Sequence, residues 1–257
     1  MVTRHRNRPY KYLAEFYDSI IAPSMFPAIQ EAARQAVIGS ILLRVQSACD
    51  LACGSGTTAL CLAKNGIRTF AVDNSPKMCR LAHEKARRAG VVLQVLQADM
   101  RKFQLPERVD LVLCEGDALN HLDTKGELAQ VAKCVARALR PGGWFYFDVN
   151  NRAGFSSYWK NTWWSEKPGL VMVSRNGNDA SNDRAWCDIE WFIHSGCGNW
   201  RRRHEHVEEV CWSAEEIRKI FKNARFDWVR AWDASPFFKQ SLITPGCRTL
   251  YLARKAV

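Results

Sequence analysis

The chain has 257 residues, 47% of them hydrophobic and 25% charged, an ordinary globular balance that can bury a sizeable core. Its 37 lysines and arginines against 26 acids give a formal net charge of +11, which favours anionic partners or a solubilising surface. No apolar run approaches the roughly 18 residues of a membrane span, and none follows the basic start (Arg4, Arg6, Arg8, Lys11), so neither span nor secretory signal is expected.

A transit peptide is disfavoured too, because the start lacks serine-rich amphipathic character. The ten cysteines contain no Cys-x-x-Cys pair, which argues against zinc. Several lie in apolar stretches, as free thiols in a reducing compartment do, and a cytoplasmic location is expected.

Leu13, Phe16, Tyr17 and Ile20 fall at helical spacing, and a second helical run covers Ile29 to Leu43. A short apolar run, 47–52, then enters a glycine loop, and Thr57 to Asn65 reads as a helix stopped by Gly66. A strand follows at 68–73. Ser75 caps a helix with Pro76 at its first position, running to about Arg88. Further strands are expected at 92–96, 110–114 and 144–149, with a helix over 126–139 before Pro141-Gly142-Gly143. Such alternation means βαβ units and a parallel sheet whose strand ends share one ligand-binding edge.

The texture changes after Asn150, where nine of the ten tryptophans lie. Antiparallel strands are expected over 170–175, 184–194 and 200–212, with hairpin signals at Asn176-Gly177-Asn178 and at Gly196-Cys197-Gly198-Asn199. Ser213 and Glu216 form a capping box, and two strands, 226–232 and 248–253, close the chain.

The glycine loop, Asp50-Leu51-Ala52-Cys53-Gly54-Ser55-Gly56-Thr57, lies between a strand and a helix, where glycine lets a ligand approach the backbone. Asp73 ends the next strand, placed to accept hydrogen bonds from ribose hydroxyls, which suits either NAD or S-adenosylmethionine. Asp50, ahead of the loop, repels a pyrophosphate and tolerates a cation. Gln97-Ala98-Asp99-Met100 offers a carboxylate and an amide to an adenine edge.

With Tyr17 to Ile20, Asp50 to Thr57, Ala71 to Ser75, Asp99 to Arg101, Gly116 to Asn120 and Leu139 to Gly143 in order, the sequence resembles the class I S-adenosylmethionine-dependent methyltransferases, closest to small bacterial members. The resemblance implies a Rossmann-like α/β fold, mostly parallel with an antiparallel last strand, and S-adenosylmethionine as cofactor. It implies that Ala52, Gly54 and Gly56 pass the methionine part and that Asp73 holds the ribose with Asn74 beside the adenine. Asp99 and the Met100 amide would read the adenine, the Cys114 carbonyl would hold the amino group, and Tyr17 would lid the site. The expected organisation is a helical cap (1–45), a cofactor-binding core (46–150), an antiparallel insertion covering the acceptor (151–212) and a segment completing the core sheet (213–257).

The sulfonium is already reactive, so positioning carries much of the catalysis, and a base is needed only for a protonated acceptor. His121 and His206 are the candidate catalytic residues. Glu115, Asp117 and Asn120 also qualify by position, although Asn120 reads equally as a tie for its loop. No metal site is expected. The segment after the fourth strand, Cys114-Glu115-Gly116-Asp117, lacks the motifs of exocyclic-amine and cytosine C5 base methylation. Seven tryptophans of the insertion (Trp159, Trp163, Trp164, Trp186, Trp191, Trp200, Trp212) could cage an amine or stack a ring. The acceptor is then a small molecule, anionic or aromatic in character, methylated on N or O. Rival readings are an RNA or protein methyltransferase, with nucleic acid not favoured, a non-catalytic cofactor binder and, more distantly, a dehydrogenase.

Overall fold

The computed structural model describes residues 12–20, 26–237 and 245–257. Two helices come first, α1 (Leu13–Ile20) and α2 (Phe26–Leu42), followed by β1 (Ser47–Leu51), α3 (Thr57–Lys64), β2 (Arg68–Asp73), α4 (Pro76–Arg88), β3 (Gln94–Gln97), β4 (Val109–Cys114), α5 (Lys125–Ala138) and β5 (Leu139–Asn150). The second half holds α6 (Arg152–Tyr158), β6 (Thr162–Lys167), β7 (Leu170–Asp179), β8 (Arg184–His194), β9 (Trp200–Val210), α7 (Ala214–Asn223), β10 (Phe226–Asp233) and β11 (Arg248–Lys255).

Seven strands form the core sheet in the order β10-β11-β5-β4-β1-β2-β3. β1 to β5 run parallel and β11 is antiparallel to both its neighbours, as the expected α/β architecture requires. Both faces are covered, so the central strands are apolar throughout, as parallel strands must be. On one face Val112, Phe145 and Phe147 pack against Leu128 and Val131 of α5 and Phe221 of α7. On the other, Leu111, Leu113 and Tyr146 meet Ala33 and Ile38 of α2 and Leu62 of α3. Strand β5 begins at Leu139, earlier than expected, because the Pro141-Gly142-Gly143 turn is taken up as an irregularity in its pairing with β4.

The second sheet is antiparallel, β6-β7-β8-β9, and it leaves and rejoins the core beside the ends of the parallel strands. Its first hairpin corrects the expectation. Asn176-Gly177-Asn178 lies inside β7, and the turn falls at 180–183 instead. Gly177 pairs with Trp186, and a Cβ there would sit 2.4 Å from the indole. The glycine accommodates a cross-strand ring, a demand that sequence alone does not separate from a turn. The second hairpin is where it was expected, closed by Ser195 N–H to the Asn199 carbonyl. Helix α6 and strand β6 had no clear sequence signal. Gly154 sits within α6 because a Cβ would come 2.4 Å from the Cys247 carbonyl oxygen.

Candidate active site at the strand ends

The loop after β1 turns through three left-handed residues, Ala52, Gly54 and Gly56 (φ 57°, 53° and 79°). Ala52 has no glycine's freedom, so the loop stores strain of the sort found at binding sites. The two glycines meet different neighbours. A Cβ on Gly54 would meet nothing within 4 Å, whereas one on Gly56 would lie 2.7 Å from the Ala82 Cβ of α4. Gly54 therefore presents backbone to open space, and Gly56 lets α4 pack against the start of α3.

Asp73, at the end of β2, accepts from the Gly54 N–H (2.9 Å) and the Ser75 N–H (2.8 Å). It holds the loop to the second strand, and burial pushes its pKa up. Asn74 is exposed beside it. After β3, Asp99 pairs with the Arg101 fork, with Arg101 Nη2 at 2.5 Å, and Arg101 also reaches Glu127. The Met100 side chain packs on the core and Cys114 is fully buried at the end of β4.

Helix α1 lies over this edge. Burial, with the charges of Asp117, Asp18, Asp73 and Asp50, pushes the Tyr17 hydroxyl up to about 12, which sets it among the acids of the cleft. Asp18 latches α1 to the glycine loop. Its carboxylate accepts from Ser55 Oγ (2.6 Å) and Lys85 Nζ (2.8 Å), and Lys85 also donates to Ser55 (2.7 Å). The apolar side of α1 packs on the second sheet, with Phe16 5.5 Å from the Trp191 ring.

The loop after β4 carries the densest polar network. Asp117 stands in left-handed backbone (φ 54°), and Asp148 accepts from the Gly116 N–H (2.8 Å) and the Asp117 N–H (3.1 Å). Arg248, at the start of β11, bridges Asp148 (2.6 Å) and Asp117 (2.5 Å). Asn150 donates to Asp117 (2.7 Å) and to Glu209 of β9 (3.0 Å). Asn120 is fully buried and satisfied, donating to the Asn150 and Val210 carbonyls (2.9 and 2.8 Å) and accepting from the Asn150 N–H. Trp212 donates to the Leu119 carbonyl (2.8 Å). The second sheet is thus fastened directly to the core edge.

His121 belongs to this network. Burial lowers its pKa, and its ligand nitrogen lies within 4.8 Å of Asp117 and Glu209 oxygens. Sequence spacing gave no metal signal because Asp117 and His121 follow β4 while Glu209 lies near the end of β9, yet the fold places them together. Glu209 is pushed well up, first by burial and then by Asp117. His206 lies elsewhere. It pairs in register with Asp188, on the opposite side of the sheet from Glu205, Val207 and Glu209, and bonds Asp188 (2.8 Å) and Glu208 (3.2 Å). The structure does not bring it to the cleft. Arg202 faces outward likewise, onto Glu190 (2.6 Å).

Glu115 is fixed by Arg34 of α2 (2.5 Å) and Thr58 (2.9 Å), and Asp50 accepts from the Ala59 N–H (2.9 Å). Burial, reinforced by Glu115, pushes Asp50 up to about 8, and burial pushes Glu115 up to about 7 against the pull of Arg34. Unfolded, both release their protons near about pH 4. The folded protein therefore holds more protons between about pH 4 and 8, and the stability these groups contribute drains as pH rises through that window. The thermal midpoint of the cofactor-free protein is expected to fall from about pH 5.5 to 8.5. His121 acts in the opposite sense above its lowered pKa, so the comparison is made against the Asp50→Asn/Glu115→Gln variant. Equal slopes for the two proteins would refute the assignment.

Residues 48–143 match the model of the methyltransferase domain family. YqeM of Bacillus subtilis (strain 168), named provisionally as a methyltransferase, is 28% identical over 69% of this chain and 72% of its own. Glycine/sarcosine N-methyltransferase of Halorhodospira halochloris is 28% identical over 41% of this chain, which spans 40% of that relative. Among solved structures, an S-adenosylmethionine-dependent methyltransferase from Clostridium acetobutylicum ATCC 824 superposes with TM-score 0.78 at 23% identity, covering 96% of this chain and 99% of that one. CalS10, an amino pentose methyltransferase from Micromonospora echinaspora, gives TM-score 0.70 at 20% identity, covering 98% and 100%.

Proposed function

We propose that this chain, a class I S-adenosylmethionine-dependent methyltransferase, passes the methyl group to an N or O atom of a small molecule held between the glycine loop and the second sheet. The observation that carries the reading is the covered edge. The ends of the parallel strands face α1 and a sheet bolted on through Asn120, Asn150 and Trp212, a cover that supports a small acceptor over a duplex or a folded protein. Among the described residues no helix is long and apolar enough to cross a membrane. All ten cysteines are free, which fits the cytoplasm as the compartment.

In this reading residues up to 45 cap the site, 46–150 hold the cofactor, 151–212 cover the acceptor, and 213–257 complete the sheet. The cofactor supplies an electrophilic methyl on a sulfonium. Gly54 gives its backbone to the methionine part, with Ala52 and Gly56 shaping the turn, while Asp73 takes the ribose hydroxyls and Asn74 flanks the adenine. Asp99, steadied by Arg101, and the Met100 amide meet the adenine edge, the Cys114 carbonyl takes the amino group, and Tyr17 closes over the whole. Asp50, held protonated by burial in the cofactor-free protein, supplies negative charge beneath a cationic ligand when it ionises on binding. His121 stands on the acceptor side, whereas His206 reaches that side only through its sheet. The carboxylates there favour a neutral or cationic acceptor over an anionic one.

Isothermal titration with S-adenosylmethionine and with NAD, followed by methyl-labelling of a fractionated cell extract, tests this reading. Binding of S-adenosylmethionine alone, with label entering small molecules, is expected. Label confined to RNA or protein, or preferential binding of NAD, would refute it.

A further inference from the structure

Four pieces of the cofactor edge meet at one ammonium. Lys85, in the last turn of α4, donates to Asp18 of α1 (2.8 Å), to Ser55 of the glycine loop (2.7 Å) and to Thr57 at the start of α3 (3.2 Å). An ammonium has three hydrogens, and here each has an acceptor. Ser55 also donates to Asp18 (2.6 Å), which closes a triangle of hydroxyl, carboxylate and ammonium. Ser55 is 2% exposed and lies between the two left-handed glycines of the loop, Gly54 and Gly56. Tyr17, set among the acids of the cleft, precedes Asp18 in the chain, so whatever holds Asp18 also holds Tyr17.

Helix α1 has eight residues, about two turns, and a helix that short has little stability of its own in water. Its place over the strand ends comes from what it touches. Its apolar side rests on the second sheet, with Phe16 5.5 Å from the Trp191 ring, and Lys167 of β6 donates to the Ser19 carbonyl. A second ion pair, Lys77 with Glu15 (3.1 Å), joins α1 to α4. The tie to the glycine loop is the Lys85 triangle. Without it α1 keeps its seat on the sheet and loses its hold on the loop that receives the cofactor.

Resting on the methyltransferase reading, we propose that Lys85 is a positioning residue that sets how long the cofactor and its product stay bound. It acts through Asp18, keeping α1 and Tyr17 closed on the glycine loop. Entry and exit use the same opening, so a weakened latch speeds both. Exit gains more, because an unlatched lid no longer waits in its closed position and binding must then supply the cost of ordering it. A mere structural prop behaves differently. Losing a prop distorts the glycine loop, which slows association while it speeds dissociation. The ion pair is also open to ionic screening, since the Lys85 and Asp18 side chains are 26% and 33% exposed.

Stopped-flow binding of S-adenosylhomocysteine to the full chain tests this, with tryptophan fluorescence as the signal. The probe is a zwitterion without net charge, so salt acts on the latch more than on the ligand. Lys85→Met keeps the stem and removes the charge. Its dissociation rate is expected to rise about ten-fold, equivalent to 1.4 kcal/mol, with association no slower than in the parent. Asp18→Ala should behave alike, and the double variant should be no faster than either single one, because both break the same triangle. Between about 0.05 and 0.5 M salt the parent's dissociation should quicken several-fold and that of Lys85→Met should hold steady. Thermal melts confirm that the variants fold, and the parent's salt response decides if they do not. The proposal is overturned by an unchanged dissociation rate in a folded variant, by slower association, by effects of the two substitutions that multiply, or by a parent indifferent to salt. Failure of the parent to bind either S-adenosylmethionine or S-adenosylhomocysteine would instead bring down the methyltransferase reading itself.

Discussion

Arg248→Met is expected to destabilise the protein by about 3–5 kcal/mol, the usual consequence of removing one partner from a buried ionic network. Its guanidinium is buried between Asp148 and Asp117, and Glu209 is joined to the same network through Asn150. Methionine fills much of the volume, so the loss comes from carboxylates left without a counter-charge rather than from a cavity. Arg248→Lys separates charge from shape. One ammonium cannot fork to two carboxylates, so lysine should recover only part of the loss. The structural consequence reaches the site, because Asp148 holds the Gly116 and Asp117 amides and so fixes the loop that carries His121. Urea midpoints at constant pH measure this, and a midpoint for the methionine variant within error of the parent would refute the network's role.

Local patterns made the core legible. Alternating strands and helices, the Gly54-x-Gly56 turn, Asp73 at a strand end and the Ser213 capping box each state their geometry within a few residues, and the fold follows them. The acceptor side was not legible, because its residues meet only through long-range register. Asp117 and His121 follow β4, Glu209 ends β9, and Arg248 opens β11. Nothing in the sequence says which parity of β9 faces inward, and the register puts His206 on the opposite face from Glu205, Val207 and Glu209. The tryptophans illustrate the same limit. Trp186 covers Gly177 and Trp212 anchors to Leu119, while Trp164 is 69% exposed; of the seven, Trp191 is the one buried on the inner face. The Asn-Gly-Asn triplet misled for a related reason, since a glycine demanded by a neighbouring ring looks like a glycine demanded by a turn.

The two loop glycines should come apart when each is replaced by alanine. Both hold left-handed backbone, which costs an L-residue about 1–2 kcal/mol, so both variants lose that much stability. Gly56→Ala must also fit a methyl 2.7 Å from the Ala82 Cβ and 3.1 Å from its Cα. Those are main-chain and first-carbon atoms of α4, which cannot swing away, so overpacking adds about 1–3 kcal/mol. Gly54→Ala meets no atom within 4 Å and escapes that second cost. Its new methyl instead stands where a ligand would approach the backbone. The expected result is a Gly56→Ala protein with a clearly lowered melting temperature, and a Gly54→Ala protein closer to the parent in stability whose affinity for S-adenosylmethionine falls at least about ten-fold, or 1.4 kcal/mol. Calorimetric titration beside thermal melts reads both axes at once. If Gly54→Ala binds the cofactor as the parent does, the open space above that glycine is not where the methionine part lies, and the placement of the whole cofactor along β1 and β2 fails with it.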